Sequence, residues 1–503
     1  MLAIRRVPWQ KPATVPGFHV ITFGCQMNQH DSERISEVLT SAGWTPESDP
    51  ERADLVLLNT CSVREKAEHK LRSEVGRVAL VKERRPELLI AIAGCMAQQE
   101  GERLVSRMPD VDLVVGPDNI AELPGLLAEA ELGAPAQVRT VFDVDAPRFL
   151  AAAPAPGRAK PSEFVTIMKG CNERCAFCIV PHTRGPERYR SAREIVGEVR
   201  RLVEAGAREV TLLGQTVNSY RDPEQSLSAP PGAGERPWTH THPTTARQDE
   251  SEFPALLHAI VREVPALARL RYTSPHPRHL TRSLILAHRD LPALARHVHL
   301  PVQSGSDRML RRMIRRYSRA EYLERVAALR DEVPGVTLST DVIVGFPGET
   351  REDFEATREL VREVGFSGLF GFKYSPRPYT PALKLEGEPS EEEKSERLAA
   401  LFEVSEASRQ AHLASLVGTT ADVLVEGPGK SGGFSGRSER NEIVHFECAF
   451  EITGEIAPVR IARAFKNSLG GELVSEWLDS DAARSRKHAP RPAPERRALP
   501  IVL

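Results

Sequence analysis

Lys169-Gly170-Cys171-Asn172-Glu173-Arg174-Cys175-Ala176-Phe177-Cys178 is the stretch whose reading decides the fold. Three thiols fall within eight residues, spaced C-x3-C-x2-C, and an aromatic residue precedes the last. Thiols so close together cannot all pair as disulfides, but three thiolates can converge on one iron–sulfur cluster. A cubane has four irons, so three protein ligands leave one iron open to a small molecule. An open iron separates a reactive cluster from one that only carries electrons. The competing reading is a zinc site or three unrelated cysteines. Structural zinc takes four ligands, commonly as paired knuckles. No fourth Cys or His falls at such a spacing, His182 being the nearest candidate.

The spacing, the aromatic residue and the open iron together resemble the radical S-adenosylmethionine (SAM) superfamily. That resemblance implies a [4Fe-4S] cluster on Cys171, Cys175 and Cys178, with Phe177 beside SAM. It also implies that one electron cleaves SAM to a 5′-deoxyadenosyl radical.

Upstream, three short β-rich runs each end in a cysteine. Residues 18–24 precede Cys25, residues 54–60 precede Cys61, and residues 88–94 precede Cys95. Helical patterns lie between them, at 31–42 and 62–82, and residues 111–116 supply a further strand. Nearly continuous apolar strands alternating with helices predict a parallel sheet covered on both faces. The cysteines stand 36 and 34 residues apart, about one βαβ unit each. A parallel sheet puts all its strand C-termini on one edge, so three distant cysteines arrive at one place. Small buried residues closing tight turns would explain one such placement; the repetition three times points to a second three-thiol site.

Two such sites in this order resemble the methylthiotransferase family of radical SAM enzymes. The local words agree: Gly24-Cys25-Gln26-Met27-Asn28, then Asn59-Thr60-Cys61-Ser62-Val63-Arg64-Glu65-Lys66-Ala67, then Gly94-Cys95-Met96-Ala97. The first two look like the tRNA branch that acts on isopentenyl-adenosine. The resemblance covers roughly residues 17–475 and implies an auxiliary [4Fe-4S] cluster on Cys25, Cys61 and Cys95.

The implied organisation is an α/β multidomain chain. An N-terminal parallel α/β domain spans 17–133, and a linker spans 134–161, whose part from 146 onward is rich in Ala, Pro and Gly. A partial (βα)6 barrel follows at 162–404, then a small β-barrel at 407–475 and a disordered basic tail at 476–503. Six β-like runs fall in the barrel region, at 164–168, 210–213, 270–274, 297–302, 336–344 and 368–374. Barrel chemistry sits at strand C-termini. By resemblance, Gly214, Gln215, Gln303, Ser304, Asp341 and Gly345 at those ends are SAM contacts, though such residues also suit any tight turn. Residues 222–250 read as a polar excursion loop, and its His240 and His242 as isolated. In Ser375-Pro376-Arg377-Pro378-Tyr379-Thr380-Pro381-Ala382 the last barrel word of the family is similar, with Tyr379 where the family usually has Gly.

Arg308, Arg311, Arg312, Arg315, Arg316 and Arg319 recur at helical spacing and predict one arginine-lined helix face. Such a face is either solvated or set against RNA phosphates. A second basic group, Arg184, Arg188, Arg190 and Arg193, follows the three-thiol loop. In the C-terminal module, Val425-Glu426-Gly427-Pro428 and Gly436-Arg437 resemble the TRAM domain, a small RNA-binding barrel, which implies RNA contacts at Arg437 and Arg440. Charge gives no help there, since residues 407–474 hold seven Lys or Arg against eight Asp or Glu. Cys448 reads as a packing residue.

Composition bounds the rest. The 503 residues suit about three domains. Net charge is −2, so any nucleic-acid surface must be local. Seven cysteines, six of them accountable as metal ligands, fit a reducing cytoplasm and no disulfide framework. No apolar run approaches a membrane span. The resemblance implies an enzyme that turns N6-(dimethylallyl)adenosine beside the tRNA anticodon into its 2-methylthio form. Its cofactors would be two [4Fe-4S] clusters and SAM. Its partners would be the tRNA anticodon stem-loop and an electron donor such as a flavodoxin or ferredoxin, with the chain a monomer. The alternatives are the same chemistry on threonylcarbamoyl-adenosine or a ribosomal protein, or a non-catalytic iron–sulfur RNA-binding or redox-sensing protein.

Overall fold

The computed structural model describes residues 15–62, 65–145, 147–152, 157, 159–233, 251–429 and 432–480. The histidines at 240 and 242, most of the excursion loop and nearly all of the tail lie outside the described residues.

The N-terminal unit is one all-parallel sheet of six strands. They are β1 (Gly17–Phe23), β2 (Thr45–Pro46), β3 (Leu55–Thr60), β4 (Leu89–Gly94), β5 (Leu113–Val115) and β6 (Gln137–Arg139), in the order β2-β1-β3-β4-β5-β6. Every residue of β3 is buried, as a strand covered on both faces requires. Side chains alternate between those faces. Val56, Leu58, Ile90 and Ile92 pack with Leu71, Val75 and Val78 of helix Glu65–Arg84. Leu55, Leu57, Ala91 and Ala93 pack with Ile35 and Leu39 of helix Gln26–Ser41.

The central unit begins with β7 (Ser162–Thr166). A small antiparallel pair, β8 (Met168–Lys169) and β9 (Arg188–Tyr189), brackets the three-thiol loop. β10 (Glu209–Leu213) and β11 (Arg269–Tyr272) complete a parallel trio with β7, and β12 (His297–His299), β13 (Thr337–Val344) and β14 (Gly368–Lys373) form a second. The trios are joined where Leu270 N donates to Ala293 O (2.7 Å) and Ala295 N to Leu270 O (2.9 Å). Each of the six barrel strands is followed by a helix, and several of these start on a side-chain cap. Ser318 with Glu321, Thr350 with Asp353 and Ser390 with Glu393 form reciprocal capping boxes, each cap contributing about 1 kcal/mol. The result is the partial (βα)6 barrel.

The arginine run is not one helix. Helix Asp307–Arg312 stops, Ile314 (φ 59°) and Arg316 (φ 57°) take left-handed backbone, and Ser318 caps the next helix, Arg319–Glu332. Two left-handed residues reset the helical phase, so the six guanidinium groups diverge. The spacing was regular, but the continuity it assumed is absent.

The C-terminal unit is a closed barrel of β15 (Thr420–Pro428), β16 (Phe434–Ser438), β17 (Ile443–Phe446), β18 (Ile456–Ala464) and β19 (Leu469–Leu473), ordered β15-β16-β17-β19-β18. Cys448 packs against its core. This small barrel sits on the strand N-termini of the large one, at the end opposite the three-thiol loop. Arg269 donates to Arg437 O (2.9 Å) and Asp422 O (3.0 Å), and Arg271 donates to Ser438 O (2.6 Å). Glu209 holds both arginines, at 3.5 Å and 2.7 Å.

Burial alone would raise the Glu209 pKa, but Arg271 and Arg269 outweigh it and hold the carboxylate below its ordinary 4.5. Glu209→Ala leaves two buried cations facing one another and should destabilise the protein by about 3–5 kcal/mol. Because the folded-state pKa is depressed, that contribution is present above pH 4.5 and lost as pH falls below it. Urea denaturation of both proteins at pH 7 and pH 4 checks the size and the sign.

Candidate functional site

The sheet edge delivers the first three thiols together. Cys25 follows β1 and caps helix Gln26–Ser41, Cys61 follows β3, and Cys95 follows β4 and opens helix Cys95–Glu100. Two glycines permit the convergence. Gly24 (φ 139°) and Gly94 (φ 90°) have backbone that L side chains rarely adopt, and a Cβ on Gly24 would stand 2.6 Å from the Cys61 Cβ. A buried amide pair fixes the spacing: Asn59 donates to Asn28 O (2.8 Å) and to Ser32 Oγ (2.9 Å), and Asn28 donates to Asn59 Oδ1 (3.3 Å). A hydrogen bond from the Cys61 thiol pulls the Cys25 thiol down to about 6 against the effect of burial. Burial pushes the Cys95 thiol up, with Arg184 opposing it.

The second three thiols sit at the mouth of the large barrel. Gly170 (φ 74°) starts their loop so tightly that a Cβ there would lie 1.9 Å from Pro186 O. Cys171 Sγ meets Thr216 Oγ1 at 3.0 Å, just beyond β10. Cys175 Sγ accepts from Arg315 Nη1 at 3.3 Å, and the same guanidinium donates to Tyr317 Oη (3.1 Å) and Pro301 O (3.0 Å). Burial, with the neighbouring Cys175 adding, pushes the Cys178 thiol up to about 12. Phe177 packs edge-on against Phe346, with ring centroids 6.5 Å apart. Among the described residues no three His, Cys, Asp or Glu side chains are gathered to hold a single metal ion. A cubane asks for a different arrangement, one thiolate on each of three irons.

One side chain links the two sets. Arg184, six residues after Cys178, donates from Nε to Cys95 Sγ (3.2 Å) and from Nη2 to Asp31 Oδ2 (2.6 Å). Its carbonyl accepts from Arg188 Nη2 at 2.7 Å, and Arg188 in turn pairs with Asp118. Arg184 and Arg188 of the basic group read from the sequence therefore form an inter-domain ion-pair seam. Arg190 instead pairs with Glu198 inside the large barrel unit, and Arg193 reaches Glu224 on its surface.

The remaining predicted residues divide. The Gln215 Oε1 atom is buried with no hydrogen-bond partner among the described residues, as are Thr60 Oγ1 and Ser62 Oγ beside Cys61. Leaving such atoms unpaired costs about 1–3 kcal/mol each, so both mouths present polar atoms suited to a ligand. Gln303 is buried in left-handed backbone (φ 68°), and its N donates to Asp341 O at 2.9 Å. Asp341 faces His299 at 3.4 Å. Ser304 is used by Thr357 (3.2 Å), and Gly345 N by Glu349 (2.7 Å); both close turns. The packing around Gly214, where a Cβ would meet Met168 at 2.6 Å, gives it a structural reason to be glycine.

Of the predicted RNA contacts, Arg315 is corrected: it is buried against Cys175 and has no solvent-facing charge to offer a phosphate. Arg308 is paired with Asp353, Arg312 with Pro347 O (2.7 Å), and Arg311 lies exposed. Arg437 and Arg440 border the interface of the two barrels, where Arg440 Nε donates to Gly335 O (2.9 Å). Sequence reasoning missed Thr216, Arg315 and Arg184 as partners of the thiols, and Asn28, whose Oδ1 accepts from Cys25 Sγ at 3.4 Å. Closeness in sequence to a cysteine is the signal available for Asn28 and Arg184; nothing local marks the other two.

Three stretches match known families: residues 17–116 the uncharacterized protein family UPF0004, residues 165–361 the radical SAM superfamily, and residues 414–474 the TRAM domain. A protein of Sorangium cellulosum named tRNA-2-methylthio-N(6)-dimethylallyladenosine synthase is 59% identical, over 97% of this chain and 99% of its own. The chain belongs to the tRNA-2-methylthio-N(6)-dimethylallyladenosine synthase family. Relatives of the same name in Syntrophobacter fumaroxidans (43% identical, 93% of this chain and 98% of theirs) and Acidithiobacillus ferrooxidans (45%, 91% and 97%) agree. Within this family member, the first matched stretch contains Cys25, Cys61 and Cys95, and the second contains Cys171, Cys175 and Cys178.

The thiol environments differ enough to be read chemically. In cluster-free, reduced protein near pH 7.5, Cys25 at about 6 is mostly thiolate, whereas Cys178 at about 12 is a thiol. Iodoacetamide should therefore modify Cys25 well before Cys178, and raising the pH to about 9 should change the Cys25 rate little. Peptide mass spectrometry over a time course measures both rates.

Proposed function

We propose that this chain is a radical SAM methylthiotransferase that converts N6-(dimethylallyl)adenosine in tRNA to its 2-methylthio form. The observation that carries the reading is the near full-length match to the Sorangium relative, at 59% identity over 97% of the chain. All three matched stretches occur in one chain.

Cys171, Cys175 and Cys178 would hold one [4Fe-4S] cluster with an iron left for SAM, and Cys25, Cys61 and Cys95 a second. When bound, these groups supply a carbon radical from SAM and the sulfur and methyl group to be transferred. The chain's own residues prepare both mouths. Arg315 and Thr216 stand against Cys175 and Cys171, and Arg184 against Cys95, so positive charge or a hydroxyl faces three of the four buried sulfurs. Hydrogen bonds to ligand sulfur are one of the means by which a protein sets cluster potential. Gln215 Oε1, buried and unpartnered, is placed to orient a polar ligand beside Thr216. Burial of Cys61, Cys95, Cys171 and Cys175 keeps water from the sulfur.

The tRNA anticodon stem-loop is the substrate in this reading, with Arg308, Arg311, Arg312, Arg437 and Arg440 as its candidate phosphate contacts. The electron comes from a protein such as a flavodoxin or ferredoxin, and the chain acts as a monomer in the cytoplasm. Among the described residues no helix is long and apolar enough to cross a membrane.

Anaerobic reconstitution should load about eight irons, four per cubane. Changing Cys171, Cys175 and Cys178 to Ala should leave about four and stop SAM cleavage. Changing Cys25, Cys61 and Cys95 to Ala should still yield 5′-deoxyadenosine with dithionite, but no methylthiolated nucleoside by mass spectrometry of tRNA. Methylthiolated product from that second variant would overturn the role given to the N-terminal thiols. Separately, Arg311→Glu should weaken tRNA binding and lower its salt dependence by about one counterion; a filter-binding series in salt reads both.

A further inference from the structure

Seven non-glycine residues among those described take positive φ, and the only aromatic one is Tyr379 (φ 66°). Left-handed backbone costs a bulky side chain about 1 kcal/mol or more. The ring does not recover that cost in the core, because Tyr379 is 55% exposed. It lies instead on the rim of the barrel mouth, against the exposed imidazole of His182, with centroids 5.5 Å apart and planes tilted by 38°. His182 stands four residues after Cys178.

The rim is rigid. Ala382 N donates to Ala176 O (2.9 Å), inside the three-thiol loop, and Thr380 Oγ1 donates to Arg377 O (2.7 Å). Pro376, Pro378 and Pro381 restrict the backbone on both sides. A second exposed apolar side chain, Leu383 at 52%, follows on the same rim. An exposed aromatic face is thus held at a fixed place beside the radical site, in a conformation its own backbone disfavours.

We propose that Tyr379, backed by His182, is a stacking platform for a base of the substrate RNA adjacent to the one being modified. This rests on the tRNA reading above. An enzyme that acts on a base inside a nucleic acid takes that base out of its stack. The neighbouring base then loses a partner on one face. An aromatic ring at the rim replaces that partner, as aromatic side chains do in the recognition of unpaired RNA. The fixed loop means that little ordering remains to be done on binding.

Tyr379→Gly tests this with little risk of misfolding, because glycine accepts the local backbone. The probe is an anticodon stem-loop RNA carrying dimethylallyladenosine, with 2-aminopurine placed in turn on either side of it. In the reconstituted enzyme, Tyr379→Gly should raise the KM for this RNA roughly tenfold, and bound 2-aminopurine at one of the two positions should fluoresce more than with the wild type. Tyr379→Phe should behave as the wild type and Tyr379→Leu as the glycine variant, because the effect follows the aromatic face and not the bulk. Equal KM and equal fluorescence in wild type and Tyr379→Gly would overturn the stacking role alone. Failure of the wild type to bind the RNA would overturn the tRNA reading and this inference with it.

Discussion

The contact on which the rest of the molecule depends is the Arg184 guanidinium held between Asp31 and Cys95. Burial works against a charged arginine, but Asp31 and the sulfur atoms outweigh it and hold the group protonated. A guanidinium cannot escape the penalty by losing its proton, so its partners must be in place whenever the domains are docked. Removing one partner of a buried pair costs about 3–5 kcal/mol, because the other is left uncompensated. The seam of Lys169, Arg188 and Asp118 extends the same logic along the interface. In the docked position all of these charges are paired.

That position follows from two parallel sheets meeting at their functional edges. In the first, cysteines end β1, β3 and β4; in the second, a cysteine loop follows β7. Edge-to-edge docking brings six thiols to one region while each sheet keeps its own apolar layers intact. The small C-terminal barrel occupies the opposite end, where Glu209, Arg269 and Arg271 bind its backbone carbonyls. It therefore leaves the thiol-bearing edge uncovered.

The framework was legible because it is written in periodicity. Continuous apolar strands ending in cysteine marked the first sheet, six β-like runs marked the barrel, and both are present. The polar network was not legible, because a sequence displays the sign of a charge and not its partner. Arg184 and Arg188 read as part of a second basic group and are buried ion pairs. Arg315 read as one member of a helical stripe, yet left-handed backbone at Ile314 and Arg316 turns it inward onto Cys175. Tyr379 was visible as a departure in a familiar word. Its φ of 66° shows why glycine is comfortable at that point and what a tyrosine there has to overcome.

The two sets of thiols are joined by a short stretch of chain. Cys178 and Arg184 are six residues apart on one loop, and Arg184 ends on Cys95. Both ends of that loop are pinned: Cys171 N donates to Gly185 O at 3.1 Å, and Cys178 N to Cys175 O at 3.0 Å. The close approach of Gly170 to Pro186 leaves no room for a side chain between them. The three-thiol loop is therefore tied to Cys95 by the Arg184 side chain, beside the Lys169 and Arg188 pairs with Asp118. Polar contacts of the loop thus reach the sheet edge that bears the other thiols, although the two sets of cysteines come from separate domains.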